Sequence, residues 1–142
     1  MIQAMRPLPQ ITSVNRPFWD ACQAGRLDLQ RCMNKACGKY VYYPRVCCPH
    51  CQGGELDWTT VSGKGVIESF TKVYRPQHEV FHAEVPIYFL AIRLAEGPLL
   101  YSRFEPGNTP GIEAAQLGGK PSFVLFSPPD GERRLPYFRL QA

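Results

Sequence analysis

Five of the six cysteines in this 142-residue chain fall between Cys32 and Cys51. Cys32 and Cys37 have four residues between them, Cys48 and Cys51 have two, and a polar, aromatic stretch separates the pairs. Two short loops that each supply a pair of thiols can close a tetrahedral site around zinc, with zinc–sulfur bonds of about 2.3 Å. Cys48-Pro49-His50-Cys51 has the spacer of a knuckle, and Gly38 after Cys37 permits the turn that points amides at sulfur. Cys47 paired with Cys51 is an alternative, and His50 a further donor; the tighter spacing favours Cys48. The expected metal ligands are therefore Cys32, Cys37, Cys48 and Cys51. Four thiolates leave no open coordination position, so the zinc is expected to be structural. Buried thiols or disulfides are the plainer alternative, which the clustering disfavours. Cys22, outside the cluster, reads as a packed thiol.

A second motif invites a different chemistry. His78-Glu79-Val80-Phe81-His82 spells H-E-x-x-H, which in metalloproteases puts two histidines on one helix face with the glutamate as base. Here Pro76 and Pro86 bracket the segment, and Val80 and Phe81 favour extended backbone. In a strand, positions 78 and 82 would lie about 13 Å apart, too far for one ion. The segment is expected to be a loop or strand without metal. With no Gly-rich phosphate loop and no Gly-x-Ser-x-Gly, the chain is expected to perform no catalysis alone.

The elements that must position these residues are short, because 14 prolines and 12 glycines punctuate the chain. Residues 1–14 read as an extended arm. Asn15 is placed to cap a helix running to about Ala24, with Pro17 in its first turn and Gly25 as its stop. Phe18, Trp19 and Cys22 share one face of that helix, which must dock on its own domain or on a partner. Leu27–Arg31 and Tyr40–Pro44 read as strands flanking the first knuckle. Beyond Leu56, Gly65–Arg75, Ile87–Leu94, Leu99–Phe104, Ser122–Phe126 and Pro136–Leu140 read as five strands. Tyr88, Leu90, Ile92 and Leu94 lie on one face. One or two helical turns over Ile112–Leu117 link the third and fourth of these strands, and Pro128-Pro129-Asp130-Gly131 turns the last pair. The expected fold is mainly β: an N-terminal arm and helix (1–31), a zinc ribbon (32–54) and a five-stranded OB-fold barrel (55–142).

Composition narrows the function. The net charge is +4, from 16 basic and 12 acidic residues that form no run of one sign, so no nucleic-acid or membrane footprint is written into it. No apolar run approaches the roughly 20 residues a membrane span needs, and the first residues lack a signal-peptide core. A cytosolic location, where thiols stay reduced, is the expectation.

The ordered set Phe18-Trp19, Gly25-Arg26-Leu27, Arg31-Cys32, Cys37-Gly38, Pro44-Arg45, Cys48-Pro49-x-Cys51 and Gly63-Lys-Gly-Val-Ile-Glu-Ser-Phe-Thr resembles a known family. Pro86-Ile-Tyr, Glu96-Gly97 and Leu135-Pro136-Tyr-Phe extend the similarity to about Leu140. This is the family of small OB-fold proteins with an N-terminal rubredoxin-like zinc ribbon, a domain of unknown function associated with acyl-CoA enzymes. One departure is the four-residue spacer in the first knuckle, where the family usually has two. The resemblance implies a non-catalytic subunit, in a hetero-oligomer with a thiolase-like enzyme, that helps bind or enclose an acyl-CoA during thiolysis, retro-aldol cleavage or acyl transfer. Others of the family accompany hydratase-like partners. It also implies partner docking through Phe18 and Trp19, and cations for the CoA phosphates, for which Lys64, Lys72, Arg75 and Arg103 are candidates; an ordinary solvated charge is the plainer account of each. The alternative is a single-stranded nucleic-acid-binding OB module, with Tyr74, Tyr88, Phe89 and Tyr101 stacking on bases.

Overall fold

The computed structural model describes residues 6–107, 120–127 and 133–140. The turns expected over Ile112–Leu117 and at Pro128–Gly131 lie outside them. Helix α1 covers Arg16–Gln23 and ends in a Schellman motif: Gly25 at φ 91°, its N–H on the Cys22 carbonyl, and the Arg26 N–H on that of Ala21. Asn15 precedes the helix but its side chain does not cap it. Its Oδ1 accepts from the Thr12 N–H at 2.7 Å, and its Nδ2 donates to the Gln10 carbonyl and to Tyr43 Oη. Asn15 thus ties the arm to the ribbon.

Three strands follow: β1 (Asp28–Cys32), β2 (Tyr40–Val41) and β3 (Leu56–Thr60). They form one antiparallel sheet in the order β2-β1-β3, with Arg31 opposite Tyr40 and Cys32 opposite Leu56. β3 was not foreseen as a strand. β2 is shorter than the expected Tyr40–Pro44: its pairing with β1 ends at Val41, and beyond it β1 holds the chain through a side chain. The Gln30 amide donates to the Arg45 carbonyl and accepts from the Arg45 N–H, at 2.8 and 2.7 Å.

The remaining strands are β4 (Gly65–Val73), β5 (Ile87–Leu94), β6 (Leu99–Arg103), β7 (Pro121–Phe126) and β8 (Leu135–Leu140). β4-β5-β6 and β7-β8 are separate antiparallel sheets that meet at both edges. Lys64 bridges Ser122 between β4 and β7, and Phe104 bridges Phe138 in parallel between β6 and β8. The circuit β4-β5-β6-β8-β7 is the partly open five-stranded barrel of an OB fold. The first seam needs Gly63: its φ is 75°, and a Cβ there would stand 2.6 Å from that of Phe123.

Inside, Tyr88, Leu90, Ile92 and Leu94 are all buried on one face of β5, as their spacing predicts, against Ile67, Leu100, Phe104 and Phe138. The same core takes in Leu27 and Leu29 of the β1 segment and the helix residues Phe18, Trp19 and Cys22. Phe18 is 0% exposed and Trp19 7%, so neither ring is available for docking a partner, contrary to the expectation. A helix this short keeps its shape by burying its apolar face, and the chain's own core has room for it.

Candidate metal centre

The first knuckle starts where β1 ends. The Asn34 carbonyl accepts from the N–H groups of Cys37 and Gly38, and the Asn34 side chain accepts from the Ala36 N–H at 3.1 Å. This Asn-led turn takes up the long spacer, and the Cys32 N–H on the Lys39 carbonyl closes the loop behind it. Gly38, at φ 66°, turns the chain back. In the second knuckle the Gln52 N–H returns to the Cys48 carbonyl at 2.7 Å, and the His50 N–H points at Cys48 Sγ at 3.4 Å.

The result brings Cys32, Cys37, Cys48 and Cys51 together, with their four Sγ atoms within 4.8 Å of one another. Cys32 and Cys51 Sγ are 3.5 Å apart, and Cys37 and Cys48 Sγ 3.8 Å. Sulfurs bonded to one zinc at about 2.3 Å stand about 3.8 Å apart along the edges of a tetrahedron, so the donor set fits such an ion. A disulfide needs about 2.05 Å, and all six cysteines are free thiols. Cys47 is exposed and outside the cluster. His50 contributes its backbone N–H to sulfur. Burial opposes ionisation of Cys48, yet the N–H groups of Cys51 and His50 and the neighbouring thiols bring it down to about 7. At Cys32 the Asn34 backbone favours the thiolate, but burial and the three other thiols push it up to about 12. A divalent cation among the four sulfurs would favour the thiolate at every position. Cys22 is fully buried away from the cluster, and its desolvation, with Asp28 adding, raises it to about 12.

The His78–His82 segment is neither the loop nor the strand expected. Glu79–Glu84 is a 3₁₀ helix with His78 at its N-cap. At three residues per turn, side chains four apart diverge by about 120°. His78 Nδ1 accepts from the Val80 N–H, and His82 Nε2 lies 3.1 Å from the Pro76 carbonyl. Among the described residues only the cysteine set converges as metal donors.

The four candidate phosphate cations do not gather. Lys64 and Lys72 stand near opposite ends of β4, separated by about 26 Å of strand. Lys72 Nζ lies over the Tyr88 ring, and Arg75 is exposed. Arg103 is committed elsewhere: its Nη1 meets Glu84 Oε1 at 2.8 Å, its guanidinium covers the Tyr137 ring, and its side chain is 11% exposed. Glu84 also pairs with Arg6 from the arm, whose side chain is 5% exposed and lies over Phe81. This Arg6–Glu84–Arg103 cluster pins the arm and the 3₁₀ helix to the barrel. No local signal announces it, because its members are separated by 78 and 19 residues. Of the proposed stacking aromatics, Tyr88 is buried, Tyr74 is exposed, and Phe89 and Tyr101 are exposed and stack on each other with ring centroids 5.9 Å apart.

Comparison with known proteins agrees with this architecture. Residues 19–57 match the model of the ChsH2 rubredoxin-like zinc ribbon domain, and residues 58–111 that of the ChsH2 C-terminal OB-fold domain. A probable enoyl-CoA hydratase alpha subunit from Thermomonospora curvata is 34% identical over 140 residues, which cover 96% of this chain but only 40% of that protein. A solved chain of an Ltp2-ChsH2(DUF35) aldolase superposes with TM-score 0.77 at 29% identity, covering 94% of this chain and 98% of that one. A DUF35 protein of unknown function from Sulfolobus solfataricus shares the fold, with TM-score 0.61 at 18% identity over 91% of this chain and 86% of its own. From the cysteine knuckles to the barrel seams, this chain belongs to the ChsH2 (DUF35) family of rubredoxin-like zinc ribbons joined to OB-fold domains.

Proposed function

We propose that the chain is a non-catalytic accessory subunit of a cytosolic acyl-CoA enzyme, stapled by one structural zinc on Cys32, Cys37, Cys48 and Cys51. The enzyme subunit, of thiolase-like or hydratase type, would supply the reacting groups; this chain would help bind or enclose the acyl-CoA. The observation that carries the reading is the full-length likeness to a chain of an aldolase complex, with 98% of that chain covered. The relative named as an enoyl-CoA hydratase subunit points to the same class of substrate. The chemistry of the metal site agrees, since four sulfur donors leave the ion no position for a substrate. When bound, zinc would supply folding energy to the two knuckles and nothing to a reaction step.

The test is affinity capture of the tagged chain from its native cells, with mass spectrometry and an acyl-CoA turnover assay on each fraction. Recovery of an enzyme subunit, with turnover only in the complex, is the expected result. Turnover by the isolated chain, or capture of no acyl-CoA enzyme, would sink the proposal.

One observation favours a second reading. The exposed Phe89–Tyr101 stack lies on β5 and β6, the second and third barrel strands, a face on which OB folds bind oligonucleotides. Titration with single-stranded DNA at low and high salt separates the readings; a flat response at micromolar protein removes this one.

A further inference from the structure

A cavity of about 650 Å³ opens between the ribbon and the barrel. Its ribbon wall includes the continuous run Lys39, Tyr40, Val41, Tyr42, with Arg31 beside it and Pro49 and His50 of the second knuckle; its barrel wall includes the β5–β6 turn from Glu96 to Leu99. Successive residues of an extended chain point to opposite faces. A cavity touched by four consecutive residues therefore runs along the backbone edge of β2, not over one face. β2 is the edge of its sheet, paired on one side to β1.

The charges are distributed unevenly across this cleft. On the barrel side, Arg93 is matched by Glu68 at 2.9 and 3.2 Å, and the Glu96 carboxylate accepts from the Ser62 N–H and hydroxyl. On the ribbon side, Arg31 and Lys39 have no carboxylate partner among the described residues. The Arg31 guanidinium is held over the Tyr40 ring at 5.0 Å, with Nε on the Gly38 carbonyl, and its side chain lines the cleft. A free strand edge with two cations beside it, one of them held in place, suits an extended peptide carrying carboxylates: its main chain adds to the edge and its acidic side chains meet Arg31 and Lys39.

We infer that this cleft receives an acidic, extended segment of the enzyme subunit, added as a strand to β2. The inference rests on the accessory-subunit reading and gives it a docking site, in place of the buried Phe18 and Trp19.

The full chain, with p-benzoylphenylalanine replacing Tyr40, is co-expressed with the captured enzyme subunit, irradiated, and the cross-linked peptide sequenced. The expected product joins position 40 to a segment containing two or more Asp or Glu residues. In parallel, R31E/K39E is expected to weaken the complex at least about tenfold. R16E/K120E, the same charge change at exposed positions away from the cleft, leaves it intact. Both variants are assayed for one metal per chain. A complex that forms normally with R31E/K39E, or a cross-link to a segment without acidic residues, overturns the docking site while leaving the accessory role standing. Loss of metal from R31E/K39E overturns it too, because the cations would then serve to balance the thiolates. If the native chain captures no enzyme subunit, both readings fall together.

Discussion

Around the four cysteines, the buried apolar packing among the described residues consists of Val41, with Leu56 partly buried beside it. Among the described residues the barrel, α1 and β1 share a core of sixteen buried residues in which Phe138, Leu90, Ile92 and Leu100 have almost no exposed surface. The two regions are neighbours in one small chain, yet sulfur donors organise one and apolar burial the other. The difference shows where each region's stability must come from. A loop pair with so little apolar surface cannot offset the entropy of ordering its backbone, so metal binding has to supply that free energy. The barrel owes nothing comparable to an ion.

The sharpest way to break the comparison is to remove the metal. Bound structural zinc contributes about 10–16 kcal/mol in small knuckle modules. Chelation, or Cys48→Ser, is therefore expected to unfold residues 32–56 and abolish partner capture, while Cys47→Ser keeps the metal. Hydrogen exchange reads the outcome region by region. Knuckle amides should exchange at unfolded rates while β5 amides stay protected. Simultaneous loss of protection in β5 would mean that ribbon and barrel are one cooperative unit.

The complementary break is Phe138→Ala. Phe138 is fully buried at the β6–β8 seam, against Phe123 with ring centroids 6.2 Å apart. The cavity is expected to cost about 3–5 kcal/mol, read as a lower denaturant midpoint, with bound metal unchanged in the folded protein. Glu84→Gln attacks the barrel through its polar anchor. Breaking a buried pair from one side typically costs about 3 kcal/mol or more, because Arg6 and Arg103 remain buried without their carboxylate. The double variant E84Q/R103M should recover part of that loss; a loss that only deepens would show that the cluster is not what holds the arm.

These features differ in how far they could be read from the chain. The knuckles were legible because metal ligation imposes spacing on neighbouring residues, and β5 because its inward face alternates over eight residues. Gly25 marked the end of α1, since a left-handed residue there is a local demand. β3 was hidden because Leu56-Asp-Trp-Thr-Thr is only partly buried and is made a strand by β1, far back in the sequence. The Glu84 cluster and the Gln30–Arg45 bonds are likewise tertiary. The fate of Phe18 and Trp19 turned on a choice that periodicity leaves open: an apolar helix face has the same pattern whether its own barrel or another protein covers it. The His78–His82 segment was harder to place, since nothing in its letters marks a 3₁₀ turn. On that backbone, as in a strand, the H-E-x-x-H spacing does not bring both histidines to one ion as it does on an α-helix.

A smaller strain tests the seam that closes the barrel. Gly63→Ala places a Cβ 2.6 Å from that of Phe123 and asks an L-residue to hold φ 75°. About 2 kcal/mol is the expected loss, from backbone conformation and overpacking together. If the variant is as stable as the native chain, β4 and β7 are not tightly joined and the barrel is an open sheet pair.

The weakest prediction concerns Arg93 and Glu68, which link β5 to β4 across the outer surface with side chains 44% and 46% exposed. The Arg93 hydrogen bonds hold the Glu68 carboxyl below its ordinary range, with partial burial opposing, and the pair in turn raises Arg93. A carboxylate whose pKa falls on folding adds stability above its unfolded pKa and loses it as pH drops through the folded value. Water and salt screen a pair this exposed, so little of that shift becomes stability. Glu68→Gln should therefore leave the denaturant midpoint at pH 7 unchanged within error, and any difference should vanish at low pH and at high salt. A large, salt-resistant loss would show that surface charge helps hold the barrel, and the contrast with the sulfur-organised ribbon would have to be redrawn.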